Sequence, residues 1–505
     1  MSINKKIIIT VAAGLVLGVS SCRKFQDVNT NPNIAPIGTV QTLLPAGQLY
    51  ITSALGVDLQ ITGSMWTGYW TQSPNASQYR SLEQYAPGQD AFSTAWENLY
   101  KANENFYQMY KLADSQKKKH YKALSLMMQA YTFQLITDAW GDAPFKQALK
   151  GQLADGGIIN PKYDSQSVIY TGIMAYVDTA EALLAATDAA GPGSDDLIFG
   201  GDVTKWQKFG YTLKLRMLLR LSQKDPVTAQ AGIAALYATP GVAFLGTGED
   251  AVINFGYSTA NKNPLYAEAS STTLGSTQNL VASSTCVDSM NSNTDDRAYI
   301  FYTYLSNGTV VGIQQGAYDI TVAGGTYSIP SHYVGGDAQN SLSSKAPVNF
   351  ISAAESYFLQ AEVEARGWAV SGTTDSVLWA NGIAASFNAN SAAINTELGY
   401  TGATSYTQYM AAGGYWTMYP TTGTLSDKLR FILTQKLFSM CGNQGFESWN
   451  ELRRTGYPDF FVRSVHSLIG AQNPKRFYYP TSESTRNSAF PGLQPITTKM
   501  WWDLF

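Results

Sequence analysis

Apolar residues recur at spacings of three and four along several long segments of this 505-residue chain, and this periodicity constrains the fold more than any other feature. The clearest stripe runs from His120 to Thr137 and consists of Tyr121, Leu124, Met128, Tyr131 and Leu135. Such a stripe predicts an amphipathic helix that buries one face against a neighbour. Gly141 and Pro144 follow it, and both residue types are typical signals for the end of a helix.

The same periodicity predicts further helices at 91–113, 166–186, 203–222, 350–366 and 426–440. Gly367 is placed to end one of them as a C′ glycine. Thr424 and Asp427 match a capping box at the start of the last one. Paired helices with small, alanine-rich faces predict a mostly α fold, a helical-repeat scaffold of the tetratricopeptide kind, although no clean 34-residue repeat is visible.

The N-terminus has the pattern of a lipoprotein export signal. Lys5 and Lys6 precede an apolar run at 7–19, which is too short for a bilayer span of roughly 20 residues. The run ends in Val-Ser-Ser-Cys22, which resembles the bacterial lipobox, so we expect residues 1–21 to be a signal peptide and Cys22 to carry lipid. The alternative is an ordinary secretory signal with a chance cysteine.

The rest of the chain divides by composition. Residues 22–38 contain Asn-Thr-Asn-Pro-Asn and read as an extended tether. We predict one domain at 39–505, with a helical scaffold at about 39–239 and 347–505. Between them, about 240–346 is rich in Gly, Ser, Thr and Asn and is predicted to be a loop-rich insertion with a few short strands, for example at 321–323 and 326–329.

Charge is sparse, which excludes some partners. Charged residues make up 14% of the chain, against roughly 25% in a typical soluble protein. The predicted mature chain has 32 basic and 37 acidic residues, and its one basic run, Lys117-Lys118-Lys119-His120, is interpreted as a solvated helix start. Nucleic acid is therefore not an expected partner, since binding to phosphates needs clustered Lys and Arg.

Known catalytic motifs are missing from the sequence. There is no Gly-x-Ser-x-Gly, phosphate loop, His-Glu-x-x-His or Cys-x-x-Cys, and the three histidines are far apart. The run 291–296 has the oxygen-bearing alternation of a calcium loop but lacks its Gly and Glu, and we interpret it as a polar turn. We therefore expect no metal, no cofactor and no enzymatic activity; whether Cys286 and Cys441 pair stays open.

Carboxylates that lie close in sequence are interpreted as structural. Asp138 and Asp142 flank a helix end, which favours a turn or cap role. Glu355 and Glu362 share one face of a predicted helix and are expected to pair with arginine rather than to form the acid pair of a glycosidase.

Aromatic residues are the positive signal for binding, with 31 Tyr and 11 Trp in the chain. Exposed rings bind sugars and other neutral polymers by stacking. One cluster stands in a Gly/Ser/Asn/Gln-rich stretch without a helical stripe, so several of its rings are expected to reach the surface: Trp66, Tyr69, Trp70, Tyr79 and Tyr85. Four more lie in later loops and are further candidates: Tyr266, Tyr333, Tyr415 and Trp416. The alternative for each ring is a place in the core.

Several segments together resemble the SusD/RagB family of nutrient-binding outer-membrane lipoproteins. They are Phe-Gln-Asp-Val-Asn-Thr-Asn-Pro at 25–32, Ile-Thr-Asp-Ala-Trp-Gly-Asp-Ala-Pro-Phe at 136–145, Glu-Ser-Tyr-Phe-Leu-Gln-Ala-Glu-Val-Glu-Ala-Arg-Gly at 355–367, Gly-Phe-Glu-Ser-Trp-Asn-Glu-Leu-Arg-Arg-Thr-Gly-Tyr-Pro at 445–458, and Arg-Phe-Tyr-Tyr-Pro-Thr-Ser-Glu at 476–483. Within the fourth, Trp449, Arg453 and Arg454 beside Glu447 and Glu451 suit an ion-paired helix junction rather than a ligand contact.

The resemblance implies tetratricopeptide-like helix pairs that carry a variable, loop-rich ligand face. It also implies a protein anchored by lipid to the outer membrane of a Gram-negative bacterium, where it captures oligosaccharides or peptides for a SusC-like TonB-dependent transporter without cleaving them. We expect the protein to face the cell surface, although Arg23 and Lys24 follow Cys22 at positions where many surface-exported relatives have acidic residues. The alternatives are a lipid-anchored glycoside hydrolase and a structural or adhesive surface protein.

Overall fold

The structure is a computed structural model of the chain, and it describes residues 38–188, 190–258, 261–321, 325–369, 371–398 and 405–505. The predicted signal peptide, Cys22 and the tether up to residue 37 lie outside the described residues. Within those ranges, every helix is too short or too polar to cross a membrane.

Helices make up about half of the described chain. In chain order they are α1 (Val40–Gly56), α2 (Asp58–Trp66), α3 (Arg80–Glu83), α4 (Ser93–Ser115), α5 (Lys119–Trp140), α6 (Gln166–Leu184), α7 (Val203–Arg220), α8 (Pro226–Tyr237), α9 (Pro264–Ala269), α10 (Ser284–Asn291), α11 (Ala298–Phe301), α12 (Ala353–Arg366), α13 (Asp375–Ala389), α14 (Ser391–Leu398), α15 (Ser405–Ala412), α16 (Leu425–Met440), α17 (Gly445–Thr455) and α18 (Thr481–Arg486).

Neighbouring helices pack in pairs, and this arrangement confirms the predicted mostly α, tetratricopeptide-like scaffold. In the N-terminal half, α4 packs against α1 and α5, and α5 packs against α6. In the C-terminal half, α12 packs against α13 and α16, and α17 packs against α2. The last pair joins segments almost 400 residues apart, so the two halves share one core.

The helix ends follow local chemistry. The Thr424 side chain accepts a hydrogen bond from the Asp427 amide, and the Asp427 carboxylate accepts one from the Thr424 amide, which confirms the predicted capping box. Gly367 ends α12 with a φ of 65°, a left-handed conformation that glycine adopts without steric cost. The stripe predicted from His120 lies inside α5, and Gly141 ends that helix with a φ of 91°.

Strands are short and antiparallel. Trp70–Gln72 (β1) pairs with Leu280–Ala282 (β5), Ala143–Pro144 (β2) with Tyr163–Asp164 (β3), and Ala251–Ile253 (β4) with Val348–Ile351 (β6). The prediction of a strand at 326–329 is wrong. Its backbone makes single hydrogen bonds, such as Ser328 N to Val311 O at 2.7 Å, where a strand would form a ladder. Of the predicted strand at 321–323, residues 322 and 323 lie outside the described residues.

Charged side chains form a buried network between the helices. Arg220 on α7 contacts Glu447 at 2.6 Å and Glu451 at 2.8 Å, both on α17. Arg454 contacts Glu362 of α12 and Glu451, each at 2.6 Å. Each of these five side chains is at most 9% exposed. The interpretation of Arg454 and Glu362 as structural is therefore confirmed.

The other charged residues singled out in the sequence also have structural partners. Glu355 lies 3.5 Å from Arg216. The guanidinium of Arg453 donates to the main-chain oxygens of Asp138 and Lys475, at 2.7 and 2.6 Å. Its guanidinium carbon also lies 3.5 Å from the ring centre of Trp449.

Candidate functional site

Four rings of the sequence-predicted cluster lie in the core. Trp66, Tyr69, Trp70 and Tyr85 are each at most 1% exposed, so the expectation that they reach the surface is wrong for these four. Trp66 packs edge-on against Trp449 with ring centres 4.9 Å apart, and its Nε1 donates to the main chain of Leu82. The Tyr69 hydroxyl contacts Ser448 at 2.7 Å. Helix α17 covers this cluster, and the local sequence could not indicate that.

The remaining predicted rings are spread over the surface and the interior. Tyr79 is half-buried against the core, and Tyr266 is half-buried beneath Lys262, whose nitrogen lies 5.7 Å from the ring centre. Trp416 is only 4% exposed, so its expected exposure is also wrong. Tyr415 is 48% exposed and its ring lies under Arg430.

A large open cleft, here called the polar cleft, is the best candidate for a ligand site. Its volume is about 1200 Å³. Five loops surround it, and its described lining residues are Ser73, Asn75, Gly275, Ser276, Thr277, Gln278, Thr303, Tyr304, Leu305, Ser306, Gly325, Tyr327, Ile329, Asp337, Gln339, Asn340 and Ser341. Four of the five loops belong to the segment 240–346.

The short sheet of β1 and β5 brings two of these loops together. In the antiparallel register Gln72 lies opposite Leu280, and Ser73 N then donates to Asn279 O at 2.8 Å. Beyond this point the chain turns into the cleft, where Asn75 Nδ2 donates to the Tyr327 hydroxyl at 2.7 Å. The buried rings of Trp66, Tyr69 and Trp70 are not among the described residues that line the cleft.

Tyr304 presents an aromatic surface to the cleft. Its side chain is 47% exposed and its ring packs edge-on against Tyr299, with ring centres 6.0 Å apart. The Tyr304 hydroxyl donates to Glu397 Oε2 at 3.2 Å, and the Tyr333 hydroxyl donates to the other oxygen of Glu397 at 2.8 Å. Glu397 raises the pKa of Tyr304, so this hydroxyl keeps its proton. The ring is held in place before any ligand arrives.

The polar groups of the cleft are also held by the main chain. Gln278 Nε2 donates to Leu280 O at 2.6 Å, and its Oε1 accepts from Ala338 N at 3.0 Å. Asp337 Oδ1 accepts from the amides of Gln339 and Asn340, at 3.0 and 3.2 Å. These contacts fix the loop 337–341 and leave the exposed Gln339 and Ser341 at the cleft wall.

This arrangement suits a neutral, hydroxyl-rich ligand. Asp337 is the one charged residue among the described residues that line the cleft. Amides and hydroxyls give neutral hydrogen bonds, and an exposed tyrosine ring gives a stacking surface, which together match the needs of a sugar. In the described ranges, no three His, Cys, Asp or Glu side chains gather closely enough to hold a metal ion. At the calcium-like run, the carboxylate of Asp295 is instead held by Arg297 at 2.6 Å.

A second cavity of about 890 Å³ has a different character. It lies between α4, the loop at 144–161 and α18, and Trp96 and Tyr100 line it. Its carboxylates already have protein partners: Glu97 pairs with Lys101 at 2.8 Å and Glu483 accepts from Tyr163 at 2.6 Å. The polar cleft offers more free polar surface.

Sequence reasoning missed Tyr304, Asn75 and Asp337. A signal for Tyr304 was present, because it comes just before Ser306-Asn307-Gly308, a turn sequence that carries its neighbours to the surface. The cleft as a whole has no local signal, because its loops come from positions between 73 and 341.

Known proteins share this helical scaffold. Residues 33–480 match the SusD-like family described as starch-binding and associating with the outer membrane. The chain belongs to this family. Among curated proteins, none matches it.

Solved structures share the fold. One is a chitin-binding SusD homologue from Flavobacterium johnsoniae, with 23% identity, a TM-score of 0.72, and coverage of 91% of this chain and 98% of the other. Another is a SusD homologue from Bacteroides fragilis, with 22% identity, a TM-score of 0.74, and coverage of 92% and 99%. A third, a SusD homologue from Bacteroides uniformis, has 20% identity, a TM-score of 0.70, and coverage of 92% and 99%.

Proposed function

We propose that this protein is a non-catalytic, lipid-anchored outer-membrane protein that binds oligosaccharides in the polar cleft. The observation that carries the proposal is the lining of the cleft, in which one exposed tyrosine stands among amides and hydroxyls with a single charge. The family description as starch-binding and the chitin-binding relative support a glycan over a peptide. The bound oligosaccharide is then delivered to a SusC-like TonB-dependent transporter.

A matched pair of variants tests the site. Tyr304 and Tyr415 are 47% and 48% exposed, but only Tyr304 lines the cleft. Because stacked aromatic residues are typical anchors, Tyr304→Ala is expected to weaken binding by about 1–3 kcal/mol, or roughly 5- to 150-fold. Tyr415→Ala is expected to leave the affinity unchanged. Calorimetric titration with malto-oligosaccharides and chito-oligosaccharides measures both, and a loss confined to Tyr415→Ala would move the site away from the cleft.

Tyr333 supports the proposed site indirectly, through Glu397. Its hydroxyl shares Glu397 with Tyr304, so Tyr333→Phe removes one of the two hydrogen bonds that orient this carboxylate. We expect a smaller loss of affinity than for Tyr304→Ala. Tyr266 has no such link to the cleft in the described structure.

A lipid-anchored glycoside hydrolase is the main competing function. It needs two carboxylates about 5–10 Å apart across the sugar. Among the described residues that line the cleft, only Asp337 has a carboxyl group, and two main-chain amides already bind it. Release of reducing ends from a bound oligosaccharide, abolished in Asp337→Asn, would overturn the binding-protein proposal.

The anchor and its orientation have separate tests. We expect the N-terminal peptide to begin at Cys22 with attached lipid, as seen by mass spectrometry, and Cys22→Ala to release the protein into the soluble periplasmic fraction, since membrane attachment depends on the acyl chains. An unlipidated Cys22 in a protein that stays with the membrane would refute the anchor. Protease treatment of intact cells then distinguishes display on the cell surface from a periplasmic orientation.

A further inference from the structure

Cys286 and Cys441 lie side by side in the core. Cys286 is in α10 and is 1% exposed, and Cys441 ends α16 and is fully buried. Both are free thiols in the structure, and burial and then Cys286 raise the pKa of both the Cys441 thiol and the Tyr302 hydroxyl, so Cys286 is a neighbour of both groups. The distance from that hydroxyl to Cys441 Sγ is 3.1 Å.

Tyr69 makes hydrogen bonds to the segments that carry both cysteines. The Tyr69 main-chain oxygen accepts from Ser283 N, at the start of α10, and from the Tyr302 hydroxyl, each at 3.0 Å. The Tyr69 side-chain hydroxyl donates to the main-chain oxygen of Leu437, in the last turn of α16, at 2.5 Å. Helices α10 and α16 are therefore held together at Tyr69 by hydrogen bonds that do not involve sulfur.

We propose that Cys286 and Cys441 form a disulfide bond as the chain folds outside the cytoplasm. The proposal rests on the proposed export of the chain, because stable disulfides form in oxidising compartments. The oxidant is an exported thiol oxidase that carries a reactive disulfide. One cysteine thiolate attacks that disulfide and forms a mixed disulfide; the second thiolate displaces the oxidase. The two thiols lose two electrons and two protons, and the oxidase leaves as a dithiol.

Because both cysteines are buried in the folded protein, the disulfide must form at an early stage of folding. Burial raises the pKa of the Cys441 thiol well above its usual range, so in the folded protein the thiol stays protonated and out of reach of an oxidase. The exchange must precede the closing of the core. Once formed, the bond closes a loop of about 155 residues and joins α10 to the scaffold. Because β5 ends only a few residues before Cys286, the link also fixes one wall of the polar cleft.

Peptide mapping of the full-length protein from the outer-membrane fraction tests the bond. The protein is unfolded in denaturant and alkylated, with or without prior reduction. We expect no alkylation of the peptides with Cys286 and Cys441 before reduction and alkylation of both after it. In native buffer a small reductant is expected to reduce the buried disulfide slowly. Protein that is reduced in denaturant and then refolded is expected to have a thermal midpoint lower by roughly 5 °C.

The Cys286→Ala variant is the matched control. Its Cys441 is expected to be alkylated without reduction, and reductant should leave its thermal midpoint unchanged. Full alkylation of both cysteines in unreduced protein whose Cys22 carries lipid would overturn the proposal. If Cys22 carries no lipid and the protein is not exported, the same protein is refolded with oxidised glutathione: a linked Cys286–Cys441 peptide supports the pairing, and two free thiols overturn it.

Discussion

Glu181 on α6 is a buried carboxyl group without a hydrogen-bonding partner of good geometry among the described residues, and this makes it a sharp test of the packing between α6 and α7. Its side chain faces Gly210 of α7, where the Cβ of any larger residue would overlap Glu181 Oε1. Burial raises the pKa of Glu181 to about 8 from an ordinary 4.5, and the nearby Tyr211 hydroxyl lowers it only in part. The folded protein therefore holds a proton on Glu181 at neutral pH.

The direction of the pH dependence of stability follows from the pH at which the unfolded and the folded state each release this proton. The unfolded chain loses this proton near pH 4.5 and the folded protein near pH 8, so the free energy of unfolding falls as pH rises through that window. Each pKa unit is worth about 1.4 kcal/mol, so Glu181 lowers stability by about 3 kcal/mol at pH 7. Glu181→Gln removes the titrating group and is expected to recover roughly that amount at pH 7 and almost nothing at pH 4.5.

Glu83 is the matched control, because it is also buried with a pKa raised to about 6 but has partners. Its carboxylate accepts hydrogen bonds from Thr71 Oγ1, the Gln72 amide and Gln315 Nε2 at 2.8–3.0 Å. A glutamine there would turn an amide NH2 toward a donor, and this loss of about 1–3 kcal/mol offsets the gain from removing the titrating group, so Glu83→Gln is expected to gain much less than Glu181→Gln at pH 7.

Urea unfolding followed by circular dichroism at pH 5, 7 and 8 measures both variants against the parent protein. The advantage of Glu181→Gln over the parent is expected to grow from pH 5 to pH 8, whereas Glu83→Gln is expected to stay well below Glu181→Gln in stability at pH 7 and 8. A constant difference between Glu181→Gln and the parent from pH 5 to pH 8 would show that Glu181 is ionised or solvated in the folded state. That result would refute the close packing of α6 against α7 around Glu181.

Three further substitutions test the scaffold. Trp66→Ala is expected to lower stability by about 3–5 kcal/mol, since it leaves a large cavity and removes the hydrogen bond from Trp66 Nε1 to the Leu82 carbonyl, and an unchanged thermal midpoint would place this ring outside the core. Arg454→Met leaves Glu362 buried without its main partner and is expected to cost about 3–5 kcal/mol in a denaturant titration; a loss below 1 kcal/mol would mean that water reaches the network. Gly367→Ala should cost about 1 kcal/mol because of the positive φ, and a stabilised variant would contradict the left-handed end of α12.

Local patterns were enough to predict six of the scaffold helices, α4, α5, α6, α7, α12 and α16, but they missed α1, α2, α13 and α17. The stripe from His120 to Thr137 lies within α5, and the capping box of Thr424 and Asp427 begins α16 as expected. These features depend on contacts three or four residues apart, which a sequence displays directly. The pairing of Glu362 with arginine was also predictable in kind, since a carboxylate on a buried helix face requires a cation.

The place of each aromatic ring depended on contacts that are distant in sequence. Trp66 and Tyr69 stand in a polar stretch that looks exposed, yet Trp449 and Ser448, more than 370 residues away, bury them. In the same way Tyr304 lines the same cleft as Asn75 and Asp337 because β1 pairs with β5 and brings loops that are distant in sequence together. The sequence by itself determined six of the scaffold helices, the sparse charge and the family, because each of these is visible in composition or in short segments. Tertiary structure alone decided which rings are core and which residues form the cleft, because burial is a property of the assembled surfaces.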